Sequence, residues 1–408
     1  MRYKTSLLKK IRQKVLSAVN KVLPKTDRVL VVGFPNVESS AIAVANYIAA
    51  NYTLQVTYVV NPNLKDHPRG MLWPGIRLIH STGSLKTQLS YFLELCSSKY
   101  LFFTHGVYLT DFSKSQVVTN IWHGVLYKKI GMLLGARAIP ADITVGTSAL
   151  TVPMFASAFG VPPGKVFISG YPRNDIMLHS KLLKDKLKHK INPALNTYKQ
   201  LLIWMPTFRK NDHKEAWQDG VESGNPFYIP DFDVDQFNQV LAAHHAYCYV
   251  KSHPMAVKYP QDKTWSHLCF IDDGWISDHG VTLYHLLGCT DVLISDVSSV
   301  VIDYLLMDQP ILCVSTDLEV YKQNRGFYFD DIEQWLPGPV LNSQEAFFQA
   351  LDKVLKKSMQ LNAVDGEGTE LPEDAAAKKR QELKQAFFTY TDANSTARLV
   401  QQVFKLQK

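Results

Sequence analysis

Residues 291–304 read Asp-Val-Leu-Ile-Ser-Asp-Val-Ser-Ser-Val-Val-Ile-Asp-Tyr. Their apolar beginning predicts a buried strand, and the apolar residues after the two serines predict a helix that follows a short polar turn. The first N–H groups of a helix have no partner within the helix and attract anions, and the hydroxyls of Ser298 and Ser299 add donors. Serine at a helix start is also common as an ordinary N-cap. Two serines directly after a buried strand favour a phosphate-binding site over a simple cap.

The alternation of apolar strands with helices continues through most of the chain. In the first half, we expect strands at 28–34, 55–60, 76–79, 100–104, 117–121, 143–145 and 166–168. In the second half, we expect them at 201–205, 247–251, 269–271, 292–294 and 311–314. Apolar strands that alternate with helices form parallel sheets covered on both faces. The pattern predicts an α/β protein of the GT-B type, with two doubly wound, Rossmann-like domains facing a cleft.

The chain has 408 residues, which is more than one hydrophobic core usually holds. A charged stretch at 181–190 interrupts the alternation, and Asn192-Pro193 follows it, so we expect the interdomain linker there. The predicted segments are a helix at 1–25, domains at 26–185 and 195–375, and a C-terminal helix at 376–408, either continuous or broken near Thr391. Ligands of doubly wound sheets bind at the carboxyl ends of the strands, so functional residues should follow strands directly.

The first 25 residues predict a basic amphipathic helix. Apolar residues recur at helical spacing, at Leu8, Ile11, Val15, Val19 and Val22. Lysines and arginines lie between them, and no acidic residue occurs before Asp27. Such a helix is typical of elements that lie on an anionic membrane surface. The alternative is a helix packed on the domain with its lysines in water.

Composition indicates where the protein works. The net charge of +7 fits anionic partners, namely phosphate esters, anionic lipid or nucleic acid. No stretch approaches the roughly 20 apolar residues that span a bilayer, and the N-terminus lacks the features of a signal peptide. The five cysteines form no CxxC pair, which favours core residues in a reducing compartment. We expect a cytoplasmic protein that lies peripherally at the inner face of the cell membrane.

A histidine follows a predicted strand in the first half, within Asn120-Ile121-Trp122-His123-Gly124. Histidine is the side chain best suited to accept a proton near neutral pH, and Gly124 allows a sharp turn with room for a substrate. A structural histidine at a strand end is the alternative. Farther on, Arg173 lies in a predicted tight turn. Two roles are open for its guanidinium: it binds a phosphate with two parallel hydrogen bonds, or it forms an ion pair that closes the loop.

Two more polar clusters follow strands in the second half. Thr207 and Arg209 come after the strand that ends before Pro206, and we expect both side chains at the rim of the cleft. His253 precedes Pro254 at the end of another strand. Its side chain either donates a hydrogen bond to a phosphate or is simply a loop residue before a turn-forming proline.

Cofactor and metal motifs are missing from the sequence. It contains no GxGxxG and no GxxxxGK[ST], so neither a dinucleotide fingerprint nor a P-loop is indicated. Asp231, Asp233 and Asp235 match a DxD metal site in spacing, but they precede a predicted helix, where acidic residues favour the helix dipole. We therefore expect neither a cofactor nor a metal.

Taken in order, these motifs resemble those of the CDP-glycerol glycerophosphotransferase family of teichoic-acid and capsule biosynthesis. The resemblance covers roughly residues 100–350. It rests on Trp122-His123-Gly124 with Lys128-Lys129, Gly170-Tyr-Pro-Arg-Asn-Asp175, Pro206-Thr-Phe-Arg209, His253-Pro254, Ile294-Ser-Asp-Val-Ser-Ser299 through Asp303-Tyr304, and Arg325-Gly326-Phe327.

The resemblance implies roles for particular residues. It implies catalytic roles for His123 and His253. It implies donor binding by Ser298, Ser299, Arg209, Thr207, Asp296, Asp303 and Arg173. It implies acceptor-related or secondary roles for Gly124, Lys128 and Arg325. On this basis the first domain binds the acceptor and the second binds the CDP donor.

The activity implied by the resemblance is transfer of glycerol phosphate, or another polyol phosphate, to a hydroxyl of an acceptor, with release of CMP. The expected partners are CDP-glycerol or CDP-ribitol, a lipid-linked or polyol-phosphate acceptor, and an anionic membrane surface contacted by residues 1–25. We expect no nucleic-acid partner. Two alternatives stay open. One is a GT-B glycosyltransferase that uses a nucleotide sugar, and the other is a non-catalytic protein that binds membrane surfaces.

Overall fold

The structure of the chain is a computed structural model that describes residues 7–109, 111–207, 227–251, 263–361 and 375–406. Two residues with predicted roles, Arg209 and His253, lie outside the described residues.

The first half of the chain forms a parallel sheet of seven strands. The strands are β1 (Thr26–Val32), β2 (Gln55–Val60), β3 (Arg77–His80), β4 (Ser98–Phe103), β5 (Val117–Asn120), β6 (Ile143–Gly146) and β7 (Val166–Ile168). Their order is β3-β2-β1-β4-β5-β6-β7. The helices of this half are α1 (Leu7–Val22), α2 (Ser39–Asn51), α3 (Leu85–Ser97), α4 (Thr151–Phe159), α5 (Pro172–Leu182) and α6 (Lys184–Ile191).

The second half forms a parallel sheet of six strands. The strands are β8 (Gln200–Met205), β9 (Ala246–Lys251), β10 (Leu268–Ile271), β11 (Val292–Ser295), β12 (Ile311–Val314) and β13 (Val340–Leu341), in the order β10-β9-β8-β11-β12-β13. The helices are α7 (Val234–Ala243), α8 (Asp273–Asp278), α9 (Leu283–Gly288), α10 (Ser299–Tyr304), α11 (Leu318–Asn324), α12 (Gln344–Leu361), α13 (Ala375–Phe387) and α14 (Ser395–Lys405).

Both sheets reverse their strand order at the first strand, between β1 and β4 and between β8 and β11. This is the switch point at which doubly wound sheets bind ligands. The predicted α/β class with two such sheets is confirmed.

The central strands are apolar on both faces because helices cover both sides. In β1, Leu30 packs into one hydrophobic cluster, whereas Val29 and Val31 pack into another. In β8, Leu202 and Ile203 are divided between two clusters in the same way. Successive side chains of a strand point to opposite faces, so a strand buried on both sides needs an uninterrupted apolar run.

The charged stretch at 181–190, where we expect the interdomain linker, is helical: it lies in α5 and α6, between the last strand of the first sheet and the first strand of the second. Lys188 is only 5% exposed, and Lys184 forms an ion pair with Asp291 of the second half. Helix α5 packs closely on α9: a Cβ added to Gly288 would lie 2.4 Å from the carbonyl oxygen of Met177. The charges therefore belong to a packed contact between the two halves.

The C-terminal segment returns to the first half of the chain. Helix α14 packs on α2 and α5. The Asp175 carboxylate accepts hydrogen bonds from the N–H groups of Ser395 and Thr396, at 2.9 and 2.7 Å, which satisfies the start of α14. The C-terminal helix is broken around Thr391, where the sequence analysis places a break: α13 ends at Phe387 and α14 begins at Ser395.

Candidate active site

A cavity of about 500 Å³ lies between the two sheets, at the carboxyl ends of their strands. The loops after β1, β4 and β5 form its wall on the first half, and β9 with the loops after β8 and β11 forms part of the wall on the second half. Among the described residues with predicted roles, those that line it are His123, Gly124, Lys128, Arg173, Thr207, Ser298, Ser299 and Arg325. The carboxyl ends of the strands of both sheets therefore meet at one cavity, at the point where each sheet reverses its strand order.

His123 occupies a sharp bend after β5. Trp122 before it has φ 57°, in the left-handed region, and its N–H donates to the Asn120 side chain at 3.1 Å. Nδ1 of His123 lies 3.4 Å from the carbonyl oxygen of Thr104. A carbonyl oxygen only accepts, so this contact favours the tautomer with the proton on Nδ1, which leaves the lone pair on Nε2. That is the form a general base requires.

Gly124 brings the His123 loop against the serine turn of the other half. Its φ is 138°, and an added Cβ would lie 2.5 Å from Oγ of Ser299 and 2.7 Å from Nη2 of Arg173. No other residue fits this conformation and this spacing without displacing its neighbours. The loop with the candidate base and the turn with the candidate phosphate donors therefore meet through a glycine.

Ser298 is the N-cap residue of α10, yet its side chain makes no capping hydrogen bond. Ser298 and Ser299 are half-buried and line the cavity, whereas Val297 and Val300 on either side of them are buried. An ordinary N-cap serine would accept a hydrogen bond from the second or third N–H group of its helix. This geometry supports a ligand-facing role over a capping role for Ser298.

Arg173 connects the two halves at the cavity wall. Its Nη1 donates to the carbonyl oxygen of His123 at 2.7 Å, and its Nη2 forms an ion pair with Asp303. Tyr284 donates to the same carboxylate at 2.5 Å. Burial alone would lower the pKa of Arg173, but the Asp303 carboxylate, followed by Tyr284 and Glu38, raises it overall. Arg173 is therefore a permanent cation that holds the backbone of the His123 loop.

Asp303 is fully buried and does not line the cavity. Besides the contacts from Arg173 and Tyr284, it accepts a hydrogen bond from Asn174 at 3.3 Å. The donor-binding roles of Arg173 and Asp303 stay predictions, and the contacts described show that the two residues join the two halves of the protein.

Asp296 braces the turn after β8. Its carboxylate accepts from the N–H of Thr207 at 3.1 Å and from the hydroxyl of Thr207 at 2.6 Å. Thr207 also accepts a hydrogen bond from Nζ of Lys128 at 3.3 Å, and Lys128 lies 5.1 Å from the ring centre of Tyr321. Lys128, Thr207 and Asp296 thus form a chain of polar contacts from one half of the protein to the other.

Arg325 lines the cavity and directly precedes segment 326–328. This segment pairs with segment 127–129 through backbone hydrogen bonds, which join the two halves. The N–H of Lys129 donates to the carbonyl of Gly326 at 3.2 Å, and the N–H of Tyr328 donates to the carbonyl of Tyr127 at 2.7 Å. Lys128 and Phe327 form an antiparallel bridge between these contacts. Backbone pairing therefore fixes the distance between the His123 loop and Arg325.

Glu38 is a cavity residue that the sequence motifs did not indicate. It caps α2, accepting from the N–H of Ala41 at 2.7 Å, and is 7% exposed. Burial raises the pKa of Glu38, and the Arg173 charge partly offsets this. An acidic residue directly before Ser39-Ser40 is a sequence signal for a helix N-cap, but no sequence pattern indicates that Glu38 lies near Arg173.

His105 is the second cavity residue that the motifs did not indicate. It follows β4, and its ring stacks on that of His123 with centres 4.0 Å apart. The surrounding protein lowers the pKa of His105 to about 4 by desolvating its charged form. His105 is an exposed residue at the cavity, and a pKa lowered from 6.5 leaves its ring neutral at physiological pH.

Within the described residues, no group of three or more His, Cys, Asp or Glu side chains is placed to hold a metal ion. Lys251 and Asp273, which also line the cavity, form an ion pair at 3.0 Å.

The chain is similar to known proteins over most of its length. The family profile described as CDP-Glycerol:Poly(glycerophosphate) glycerophosphotransferase matches residues 15–405. The teichoic acid ribitol-phosphate polymerase TarK of Staphylococcus aureus (strain NCTC 8325 / PS 47) is 28% identical over 312 residues, which are 73% of this chain and 54% of that protein. The teichoic acid glycerol-phosphate transferase of the same strain is 26% identical over 305 residues, 70% of each chain. This chain thus spans about half the length of the polymerase.

A solved structure has the same fold. The wall teichoic acid polymerase TagF, in a crystal soaked with CDPG, superposes with a TM-score of 0.71 over 97% of this chain and 93% of that one. The two sequences are 17% identical in that comparison, so the likeness concerns the fold.

Proposed function

The chain belongs to the CDP-glycerol:poly(glycerophosphate) glycerophosphotransferase family, and from this premise we propose that it transfers a polyol phosphate from a CDP-activated donor to an acceptor hydroxyl. The observation that carries the proposal is the contact between Gly124 and Ser299, which joins the His123 loop to the serine turn in one cavity. Phosphoryl transfer depends mostly on positioning and on stabilisation of phosphate charge, and this cavity offers a base beside several donors.

In the proposed reaction, Nε2 of His123 accepts the proton of the acceptor hydroxyl. The oxygen attacks the phosphorus that bears the polyol, and a new P–O bond forms in line with the bond that breaks. The broken bond is the P–O link to the cytidylate phosphate, so CMP leaves with the bonding electrons. Ser298, Ser299 and Lys128 stabilise the phosphate oxygens as charge develops on them. His253 stays a predicted partner of the donor pyrophosphate, on the ground of the family resemblance alone.

The polyol is proposed as glycerol or ribitol. The two relatives described above are a ribitol-phosphate polymerase and a glycerol-phosphate transferase, with nearly equal identity to this chain. We propose a teichoic acid polymer or its lipid-linked precursor as the acceptor.

The chemistry is tested by incubating the purified chain with CDP-glycerol, CDP-ribitol, UDP-glucose or UDP-N-acetylglucosamine, each with a polyol-phosphate oligomer. We expect acceptor-dependent CMP release from a CDP-polyol and no UDP release. His123→Gln should remove this release, whereas His189→Gln, on the exposed face of α6, should leave it intact. Release of UDP alone would instead support a nucleotide-sugar glycosyltransferase.

We also propose that α1 attaches the protein to an anionic membrane surface. The helix rests on a polar side: Ser17 and Asn20 are buried, and the Asn20 side chain lies within hydrogen-bond distance of the Gln116 side chain. Leu16 packs against the core, but other apolar residues of the helix point outward, since Val15 is 55% exposed and Val22 is 85% exposed. The alternative is a helix packed on the domain through its apolar side, with its lysines in water. In that case these valines would be buried.

The neighbouring helix α3 also exposes apolar side chains. Leu85, Leu89 and Leu93 recur every four residues and are 81%, 55% and 48% exposed. Within the described residues, no helix is long and apolar enough to cross a membrane. Attachment at the surface would combine burial of these side chains with about 1 kcal/mol for each nearby lysine or arginine.

Vesicle sedimentation tests the attachment. We expect binding to phosphatidylglycerol vesicles, weak binding to phosphatidylcholine vesicles, and loss of binding in Val15→Asp/Val22→Asp. Leu182→Asp changes a residue that is 80% exposed on α5 and should bind as the wild type does. Equal binding by all three proteins would contradict the proposal.

A further inference from the structure

We propose that the groove between helix α3 and the amino ends of β1 and β3 binds the phosphate headgroup of an anionic phospholipid. The groove has a volume of about 300 Å³ and lies at the opposite end of the first sheet from the active-site cavity. Three cationic side chains line it, namely Arg28, Arg77 and Lys86, together with the carboxylate of Glu94. The proposal adds a lipid site to the proposed membrane attachment and involves no residue of the transfer reaction.

The groove exists because polar residues replace apolar ones near the amino ends of three neighbouring strands. On the face toward α3, the strands β1, β2 and β3 contribute to one hydrophobic cluster the residues Leu30, Val59 and Ile79. Side chains of a strand return to the same face every two residues, so this face also carries, two positions earlier, Arg28, Thr57 and Arg77. At this end of the sheet, α3 therefore meets two guanidinium groups instead of an apolar surface.

Glu94 of α3 holds the two arginines side by side. Its side chain is 5% exposed, accepts a hydrogen bond from Oγ1 of Thr57 at 3.1 Å and forms an ion pair with Arg77. The Arg28 guanidinium lies 3.8 Å from the same carboxylate, beyond hydrogen-bond distance. The Arg28 and Arg77 side chains are 39% and 43% exposed, so both guanidinium groups are accessible to a ligand. Glu94 thus positions two forked cations that match the oxygens of a phosphate.

Lys86 lies at the other end of the groove. Lys86, Ser90 and Glu94 recur every four residues along one side of α3, so they follow the groove. With a rise of about 1.5 Å per residue, Lys86 and Glu94 are roughly 12 Å apart along the helix axis. Three cations against one carboxylate leave two positive charges in excess, which complements a phosphodiester. The groove is also longer than a single phosphate group.

Exposed leucines favour a lipid over a soluble phosphate ester. Leu89 and Leu93 line the groove, and with Leu85 they form an exposed stripe on α3. Acyl chains beside the headgroup would cover these side chains, whereas a soluble phosphate ester would leave them in water. Helix α1, which carries the proposed attachment surface, contacts α3. The cationic groove therefore lies beside apolar side chains that suit the chains of the same phospholipid.

A short-chain lipid tests the site without a membrane. In calorimetric titrations of the full chain, we expect saturable binding of dihexanoylphosphatidylglycerol below its critical micelle concentration. Binding of dihexanoylphosphatidylcholine and of dimethyl phosphate should be at least about tenfold weaker, because the first has no net negative charge and the second has no acyl chains. Equal affinity for dimethyl phosphate and the anionic lipid would overturn the proposal, because the ligand would then be a soluble phosphate ester.

Removal of two cations tests which residues hold the headgroup. Arg28→Gln/Lys86→Gln should weaken binding of the anionic lipid about tenfold or more, since a hydrogen bond to a charged phosphate contributes about that factor. The matched control Arg69→Gln/Lys186→Gln removes the same charge at two exposed positions, in the loop after β2 and on α6, and should bind as the wild type does. If the double variant is unstable, Lys86→Gln alone changes an exposed residue and should still weaken binding measurably.

A second pair of variants tests the acyl chains. Leu89→Ser/Leu93→Ser should weaken binding of the anionic lipid severalfold, whereas Leu182→Ser, on the exposed face of α5, should not change it. Equal losses in the cation variant and its control would overturn the proposal, and so would undiminished binding in Leu89→Ser/Leu93→Ser.

Failure of the other proposals is distinguishable from failure of this one. Val15→Asp/Val22→Asp tests the attachment of α1 to vesicles and should bind the soluble lipid as the wild type does. Arg28→Gln/Lys86→Gln should release CMP at the wild-type rate with a soluble acceptor, because the groove lies at the far end of the sheet from the active-site cavity.

Discussion

Arg173 of α5 and Asp303 of α10 form a buried ion pair that joins the two halves of the protein beside the candidate active site, with side chains 7% and 0% exposed. The same guanidinium donates to the carbonyl oxygen of His123 at 2.7 Å. One side chain therefore contributes both to the interface between the halves and to the position of the candidate base.

Removal of the guanidinium should destabilise the protein strongly. Arg173→Met leaves the Asp303 carboxylate buried without its cation, which typically costs about 3–5 kcal/mol in the free energy of unfolding. Arg173→Met/Asp303→Leu removes both charges and should recover much of this loss. Urea unfolding of the single and double variants measures both effects.

An exposed ion pair provides the control. Lys263 and Asp235 are 57% and 55% exposed, so Lys263→Ala should change the unfolding free energy by less than about 1 kcal/mol. A loss in Arg173→Met no larger than that in Lys263→Ala would mean that the buried pair does not brace the halves.

Gly124→Ala should impair turnover more than it impairs folding. The added methyl would meet Ser299 Oγ at 2.5 Å and push the His123 loop from the serine turn. A displacement of about 1 Å at a reacting group can reduce kcat roughly 100-fold. Gly135→Ala is the control, since Gly135 also has positive φ, at 75°, but its Cβ would contact nothing within 4 Å. Steady-state kinetics of both variants would refute the assignment if their kcat values fell equally.

Ser298→Ala should weaken use of the donor without loss of stability. A hydrogen bond to a charged phosphate is worth about 1.5–3 kcal/mol, so kcat/KM for the CDP-polyol should fall roughly tenfold to hundredfold. The thermal midpoint should not change, because Ser298 makes no capping bond. Ser84→Ala should behave in the opposite way, since Ser84 caps α3 through the N–H of Thr87. There we expect a loss of about 1 kcal/mol in stability and an unchanged kcat/KM.

Glu38→Gln should increase stability at neutral and alkaline pH. Burial raises the pKa of Glu38, so the folded state binds a proton more tightly than the unfolded state does. As pH rises from the ordinary glutamate pKa of 4.5 through the raised value, the wild type therefore loses stability that the neutral glutamine keeps. Urea unfolding from pH 5 to pH 8 should show a difference between variant and wild type that grows with pH. A constant difference would contradict the direction of the shift.

The sequence predicted the parts of the site that local pattern determines. The serine turn at 298–299 and the His123 bend both follow apolar strands, and the carboxyl ends of parallel strands meet at one edge of a sheet. The family resemblance, given by the order of the motifs, is confirmed by the profile match. The roles of individual residues stay predictions, and those of Arg209 and His253 concern residues outside the described ranges.

Other features depend on contacts between distant parts of the chain. The segment around Arg173 reads as a turn because of Gly170 and Pro172, yet Pro172 is in the first turn of α5, where its missing N–H costs nothing. The partner of Arg173 is 130 residues away, so no local pattern indicates that the pair is buried. His105 belongs to no motif, and its stack on His123 follows from the adjacency of β4 and β5.

The most direct test of the account is the release of CMP from a CDP-polyol in the presence of a polyol-phosphate acceptor, with the mass of the acceptor followed in parallel. In the wild type, we expect CMP release and acceptor growth by one polyol-phosphate unit per CMP to occur together, and we expect both to disappear in His123→Gln. Turnover that survives in His123→Gln, or UDP release from a nucleotide sugar with no reaction of any CDP-polyol, would contradict it.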